Sequence, residues 1–310
     1  MLDLLLLPLL LIAEPPPVTP MPSVGPAPML RIREPFRRTG PKTADKVAPP
    51  KLVPRTPAGL AGCEQALMPT QELPRRVGEV VRYLVAVDGL SVGTVDFKVE
   101  QDGTFQGLNV TEFRSLFKLD ALVATFLPVE GRAAALVPYG RFWPMKAMDK
   151  YQLDQDRLEE ELTLASEGRA MAVKRVKNNH TENENRAFAY PIVDFVSGFY
   201  LLRALPKTMN GCAVLYGNHR AYTVWLAPDG SEKIKTPVGM READRYQVRY
   251  ASEKSPRPLT ARVWIGDVPT RLPFRVEMDG KHRLEAQVHL YESGGSSLPG
   301  TSGTDVEIRP

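Results

Sequence analysis

From Leu73 onward, apolar and polar residues alternate along most of the chain, and one stretch breaks the pattern. Tyr190 to Leu205, YPIVDFVSGFYLLRAL, is the densest apolar run of that part and is closed by Pro206. Asp194, with Ser197 three residues on, has the form of a helix cap. Phe195, Phe199 and Leu202 then share one helical face. The pattern predicts one short helix, and the alternating sequence around it predicts the sheet that covers it.

The alternation resolves into strands joined by short turns. Val81, Tyr83, Val85 and Val87 share a face, Asp88-Gly89 follows, and Val95, Phe97 and Val99 continue in step, which is a strong hairpin signal. A next turn is expected at Gln101–Thr104. Leu116 to Phe126 reads as a strand, Val129 to Pro144 as a loop with a short strand, and Lys177 to Arg186 as a polar loop. Ser166-Glu167-Gly168 separates two further strands. After the helix, turns are expected at Gly217-Asn218, Pro228–Gly230, Thr236–Gly239 and Asp279-Gly280. Ala261, Val263 and Ile265 share a face with Trp264 opposite. About a dozen strands and one buried helix predict a mainly β protein: a single curved antiparallel sheet or half-barrel wrapping the helix.

The N-terminal part has a different character. Residues 4–13, LLLLPLLLIA, have the length of a signal-peptide apolar core and are too short to span a bilayer. Residues 14–70 are Pro-rich, with no sustained apolar period, and are expected to form a disordered tether. The folded domain is expected over 71–292 and a disordered Gly/Ser-rich tail over 293–310. Charge follows the same division. The chain carries +4 overall, but residues 14–60 hold eight Lys/Arg against three acids, so the body is balanced. A nucleic-acid binder places its charge on the folded surface, and that class is not expected here.

Little in the chain points to catalysis. His180, His219, His282 and His289 have no metal-ligand spacing, so neither metal nor cofactor is expected. There is no Gly-x-Ser-x-Gly elbow and no phosphate-cradling glycine loop. Asp194 with Ser197 is more simply a cap than a catalytic pair. Arg203, on an apolar helix, needs a partner, and Glu79 and Asp267 are the candidates. The only cysteines, Cys63 and Cys212, form one disulfide in an oxidising compartment or stay as two thiols. Leu60–Cys63 spells a lipobox, but its Pro- and Lys/Arg-rich approach argues against lipidation.

Three blocks of residues, in order, resemble a bacterial envelope family known as domain of unknown function 3108. They are Gly78-Glu79, Tyr83, Asp88-Gly89 and Val92-Gly93; Asp194, Ser197, Tyr200, Leu202-Arg203 and Gly211; and Trp264, Asp267, Arg271 and Pro273. The resemblance covers roughly residues 73–291, and the chain departs from it at Gly198, where a larger residue is more frequent. It implies an exported, β-rich protein without assigned catalysis, similar in fold to the half-barrel carriers of lipoproteins.

The expected function is therefore that of a non-enzymatic, monomeric protein of the periplasm or outer envelope. Its concave sheet would hold a lipid-like apolar ligand or a partner peptide against Phe195, Phe199 and Arg203. The alternative is an assembly factor that binds another envelope protein through a sheet edge or the tether; a hydrolase stands third.

Overall fold

The structure, a computed structural model, describes residues 65–294 apart from 127–128, 154–155, 237–238, 253–257 and 268–269. The expected signal segment, the tether up to residue 64 and the tail from 295 lie outside the described residues. The strands are β1 (Val80–Val87), β2 (Leu90–Phe105), β3 (Leu108–Leu119), β4 (Val129–Pro138), β5 (Lys146–Leu153), β6 (Asp156–Leu164), β7 (Ala170–Lys177), β8 (His180–Ala187), β9 (Ile192–Asp194), β10 (Gly211–Gly217), β11 (Arg220–Thr236), β12 (Gly239–Ser252), β13 (Leu259–Gly266), β14 (Pro273–Asp279) and β15 (Leu284–Glu292). A short helix α1 (Ala121–Phe126) follows β3, and α2 (Phe195–Ala204) follows β9.

All fifteen strands belong to one open sheet. β1 and β15 lie side by side at its centre. Hairpins carry the chain outward from β1 to the edge strand β8, it crosses to β9 at the opposite edge, and it steps back from β10 to β15. β9 and β10 pair in parallel because α2 intervenes between them. The crossing draws the edges together: Phe188 N donates to Arg169 O at 2.8 Å and Ile192 N to Gly168 O at 2.7 Å. β8 and β9 are not paired with each other, so the sheet curves without closing.

Inward-facing side chains from both wings bury α2. Val81, Tyr83 and Val85 of β1, Val95, Phe97 and Val99 of β2, and Ala261, Val263 and Ile265 of β13 belong to one core. All ten residues of the helix are buried. Asp194 caps it: Oδ2 accepts from Val196 N (2.9 Å), Oδ1 from Ser197 N (3.1 Å), and Ser197 Oγ accepts from Asp194 N (3.2 Å). This reciprocal box satisfies amides that the buried helix start could not leave open. Leu205 is extended, as a residue before proline must be, and the helix stops there.

Several turns and strands differ from the sequence reading. β2 runs through Gln101–Thr104, with a bulge between Val99 and Gln101, and reverses at Gln106-Gly107. There two adjacent residues hold φ of 52° and 80°, the conformation of a tight hairpin turn, whereas Gly103 pairs across to Val110. Likewise β11 passes through Pro228–Gly230 with an irregularity, and the connection lies between Thr236 and Gly239. Leu116 to Phe126 divides into the end of β3 and α1, and Val129–Pro138 is a full strand. The polar loop at Lys177–Arg186 is the edge strand β8, turned by Asn178-Asn179, both at positive φ. Asparagine tolerates that region, and a wet edge strand lacks an apolar face to betray it.

The packed chain also begins before residue 71. Ala66 bridges Cys212 in parallel, with Leu67 N donating to Cys212 O (2.7 Å) and Cys212 N to Gln65 O (2.8 Å). Leu67 and Leu73 are buried. Two isolated apolar anchors give no period, which is why this strap reads as tether. Gly211 admits it: a Cβ there would lie 2.8 Å from Gln65 O.

Gly93 has a similar role inside the sheet. It pairs with Leu119, and a Cβ on it would come within 2.2 Å of Lys118 O and 2.9 Å of Leu119 Cα. Both obstacles are backbone and cannot rotate away. Gly93→Ala is expected to lower stability by about 1–3 kcal/mol, measured as a urea midpoint. An unchanged midpoint would show that β2 and β3 separate freely at this point.

Candidate functional site

Three places in the fold gather polar side chains: an ion pair under the helix, a set of acids at its N-terminus, and a trough on the outer face of the sheet. The first collects the residues singled out in the sequence. Arg203 Nη1 and Nη2 donate to Glu79 Oε1 and Oε2 at 2.5 and 3.1 Å, and both groups are 1% exposed. Nε and Nη2 also donate to Thr270 O at 3.2 and 3.1 Å, and Tyr291 OH donates to Glu79 Oε2 at 3.2 Å. The guanidinium sits 5.7 and 5.6 Å from the ring centres of Phe199 and Tyr200. Asp267, the other candidate partner, lies at the surface and pairs with Lys207 at 3.0 Å.

The remaining motif residues lie partly beside this pair and partly elsewhere in the sheet. Tyr83 OH donates to Pro273 O at 2.6 Å, and burial pushes its ionisation far up. Arg271 is buried, holds φ 43°, and donates through Nη2 to Tyr246 OH at 3.4 Å. Gly78, also at positive φ, turns the chain into β1 just before Glu79. Trp264 faces away from the core, and its indole N–H donates to Glu232. Cys212 is buried and is not a free thiol; Cys63, the other half of the expected bridge, lies outside the described residues.

Phe195 and Phe199 do not line a cavity. Phe199 stacks on Phe97 with centroids 3.9 Å apart, Phe195 lies 5.5 Å from the same ring, and Tyr83 meets Phe199 edge-on at 6.0 Å. The opposite side of the helix, at Gly198, Leu201, Leu202 and Leu205, leaves only an apolar crevice of about 50 Å³ against β10–β13, with Leu67 of the strap on its wall. Among the described residues, the Phe195 and Phe199 side of the helix, where the sequence reading expects a ligand, is packed against Phe97 and Tyr83.

Of the acids at the helix N-terminus, Asp194 is expected as a cap, whereas Asp149 and Glu160 give no sequence signal. Asp149 points inward from β5 and is buried, and burial, with Asp194 and Glu160 nearby, holds its carboxyl well above the usual range. Burial also raises Asp194, against the opposing bonds from Ser197 and the cap amides. Glu160 is pushed up to about 7 by burial, against the His219 N–H (2.9 Å), Arg175 and Arg186. Glu184 adds to the rise. Tyr151 OH donates to Asn218 Oδ1 at 2.5 Å beside this group. These contacts link β5 and β6 of one wing to the β10–β11 turn of the other. Burial thus favours the protonated form of each of these acids in the folded state.

The third place is a trough of about 620 Å³ on the outer face, spanning β15 and β1 to β5. Val80, Leu116, Ala134, Met148 and Leu290 supply its apolar surface. Arg82, Lys98, Arg114, Arg132 and Lys150 line it together with Asp96, Glu100 and Glu292. In the sequence these residues are single polar and apolar positions on six strands and look like an ordinary wet face. Among the described residues, no cluster of His, Cys, Asp and Glu could hold a metal, and no helix is long and apolar enough to cross a membrane.

The class this defines is an open, curved β-sheet packed around one buried helix, with a charged trough on its outer face. The sequence matches the family described as "Protein of unknown function (DUF3108)" over residues 82–281, and the chain belongs to that family. No curated protein matches it. Among solved structures, it is similar to a β-barrel-like protein of domain of unknown function DUF1849 from Brucella abortus, at 12% identity and TM-score 0.47, covering 70% of this chain and 98% of that one. A Parabacteroides distasonis protein predicted to be a lipoprotein aligns at 10% identity and TM-score 0.31, covering 71% and 97%. A Bacteroides fragilis protein with a YmcC-like fold, predicted to be exported, aligns at 8% and 0.34, covering 71% and 98%.

Two predictions follow from the buried charges. Arg203→Leu strands Glu79 without its partner and is expected to cost about 3–5 kcal/mol, while a paired Arg203→Leu, Glu79→Leu variant recovers much of the loss. Urea midpoints of both variants test this; a near-native midpoint for Arg203→Leu alone would refute it. The acids act in the opposite sense to usual carboxylates. Their protonated forms are favoured in the folded state, so the Glu160 contribution is complete below its ordinary value of 4.5 and lost as pH rises through about 7. The urea midpoint should therefore rise between pH 8 and pH 5.5, and Asp149→Asn should raise it at pH 8 and flatten the profile. A midpoint falling toward pH 5.5 would contradict the protonated seam.

Proposed function

We propose that this protein is a non-catalytic binding protein of the bacterial envelope that takes its ligand on the outer face of the sheet. The observation that carries this reading is the contrast in free volume. The crevice beside the helix holds about 50 Å³, whereas the outer trough holds about 620 Å³, within the range of small-molecule sites. Export rests on the apolar run at residues 4–13 and the Pro-rich tether after it. The burial of the Arg203–Glu79 pair and of Asp149 and Asp194 supports a structural role for these groups.

Strand addition at β8, the assembly-factor reading, is less well supported. Its exposed residues His180 to Asn185 carry two glutamates and no large apolar side chain. Charged edges of this kind discourage pairing with another chain.

Native mass spectrometry of protein purified from a bacterial envelope tests the reading. The expected result is a bound molecule of small-ligand mass that is lost in Ala134→Trp, which fills the trough. A co-purifying protein in place of a small molecule would favour the assembly factor and overturn the proposal.

A further inference from the structure

We propose that the outer trough binds an alkyl carboxylate, with the carboxylate held among its cations and the chain laid along its apolar strip. This rests on the trough being the ligand site and adds the chemistry of the ligand. The first observation is the register. Lys98 stands directly across from Arg114 on β2 and β3, and Arg132 directly across from Lys150 on β4 and β5. Like charges in cross-strand pairs oppose sheet formation. The two pairs are offset diagonally, Arg114 facing Ala134 and Arg132 facing Leu116, and both line the trough.

The second observation is where the compensating acids sit. Arg114, Arg132 and Lys150 pair with Glu112, Glu130 and Glu159 at 2.7, 2.7 and 3.0 Å, and none of these acids lines the trough. Lys98 pairs instead with Glu100 of the lining at 2.9 Å, so for three of the five cations the neutralising acid lies outside the lining. Arg114 uses only Nε on Glu112, leaving its two terminal nitrogens. Within the lining itself five cations face three acids, and Asp96 is taken by a bidentate bond from Arg82 at 2.7 and 2.7 Å. A guanidinium fork beside an ammonium suits a carboxylate.

The third observation is the apolar surface among these charges. Leu116 and Ala134 occupy neighbouring strands beside the cation pairs, and Met148 lies directly across from Ala134. Met148 and Ala134 join a second small core on this face that contains Leu136 and Val110. A purely polar anion would leave this strip wet, and a purely apolar ligand would strip water from the cations without replacing it. An anion with an alkyl chain satisfies both.

Isothermal titration calorimetry tests this with decanoate and uncharged decyl maltoside, each below its micellar concentration. Decanoate is expected to bind about tenfold tighter or more, and more weakly as salt rises. The double variant Arg132→Gln, Lys150→Gln should lose that advantage while its urea midpoint does not fall, because a like-charge pair is removed. Ala134→Trp should abolish binding of both probes, and Met148→Glu, which adds an anion to the strip, should abolish decanoate binding if Ala134→Trp fails to fold. Equal affinity for both probes would overturn the choice of an anion and leave the trough as the site. Decanoate binding that survives both Ala134→Trp and Met148→Glu would overturn the trough itself. If neither probe binds, the alkyl carboxylate is refuted, and the mass spectrum of the envelope-purified protein decides the broader reading independently.

Discussion

The bidentate pair between Arg203 and Glu79 is the constraint on which the rest of the fold depends. Arg203 sits at the end of a helix with all ten residues buried, and Glu79 immediately precedes β1 at the centre of the sheet. Neither charge reaches water, so each is tolerable only while the other is in place. The same guanidinium binds Thr270 O, ahead of β14, and the same carboxylate accepts from Tyr291 of β15. Four segments far apart in sequence are therefore held to one geometry. The helix cannot slide along the sheet without breaking bonds that nothing nearby would replace.

This explains why scattered residues formed a recognisable sequence pattern. Glu79 and Tyr83 open it, Tyr200 and Arg203 occupy its middle, and Arg271 and Pro273 close it; in space they surround one buried charge. The pattern follows the cost of burying that charge. The helix was legible because a capping box and a following proline are local signals. The Asp88-Gly89 hairpin was legible for the same reason. β5 was not, because its inward positions read Ala147, Asp149, Tyr151, and an inward aspartate inverts the expected alternation. β8 was not legible either, since an edge strand wet on both faces has no period to detect.

The site candidates divide along the same line. Arg203 stood out because a charge in an apolar run is conspicuous. Glu160 and Asp149 did not, because each is an unremarkable acid in its own strand and becomes unusual only when the wings meet. The trough is the extreme case. Each of its cations is the expected polar residue on the outer face of its strand, and only the pairing register places Lys98 against Arg114 and Arg132 against Lys150. Register over five strands is not readable from alternation, which fixes the face of a residue but not its neighbours.

An open sheet this long must hold its edges in place without the ladder that closes a barrel. Here side chains take that part at the seam: His219 N–H on Glu160, Tyr151 on Asn218, and backbone bonds from the crossing segment to Gly168 and Arg169. Burying acids at such a seam is unfavourable when they are charged, and a neighbouring acid makes it more so. Protonation removes that cost and leaves a carboxyl able to donate as well as accept. At the seam, burial favours the protonated acids while His219 and Arg175 flank Glu160 at 3.0 and 3.7 Å, whereas the centre of the sheet depends on an ion pair. The two ends of one helix are fixed by opposite electrostatic means: Asp194 lies among carboxyls at its start, and Arg203 meets a carboxylate at its finish. Both ends of the helix are thereby fixed against the concave face, and the outer face of the sheet is the face that the helix does not touch.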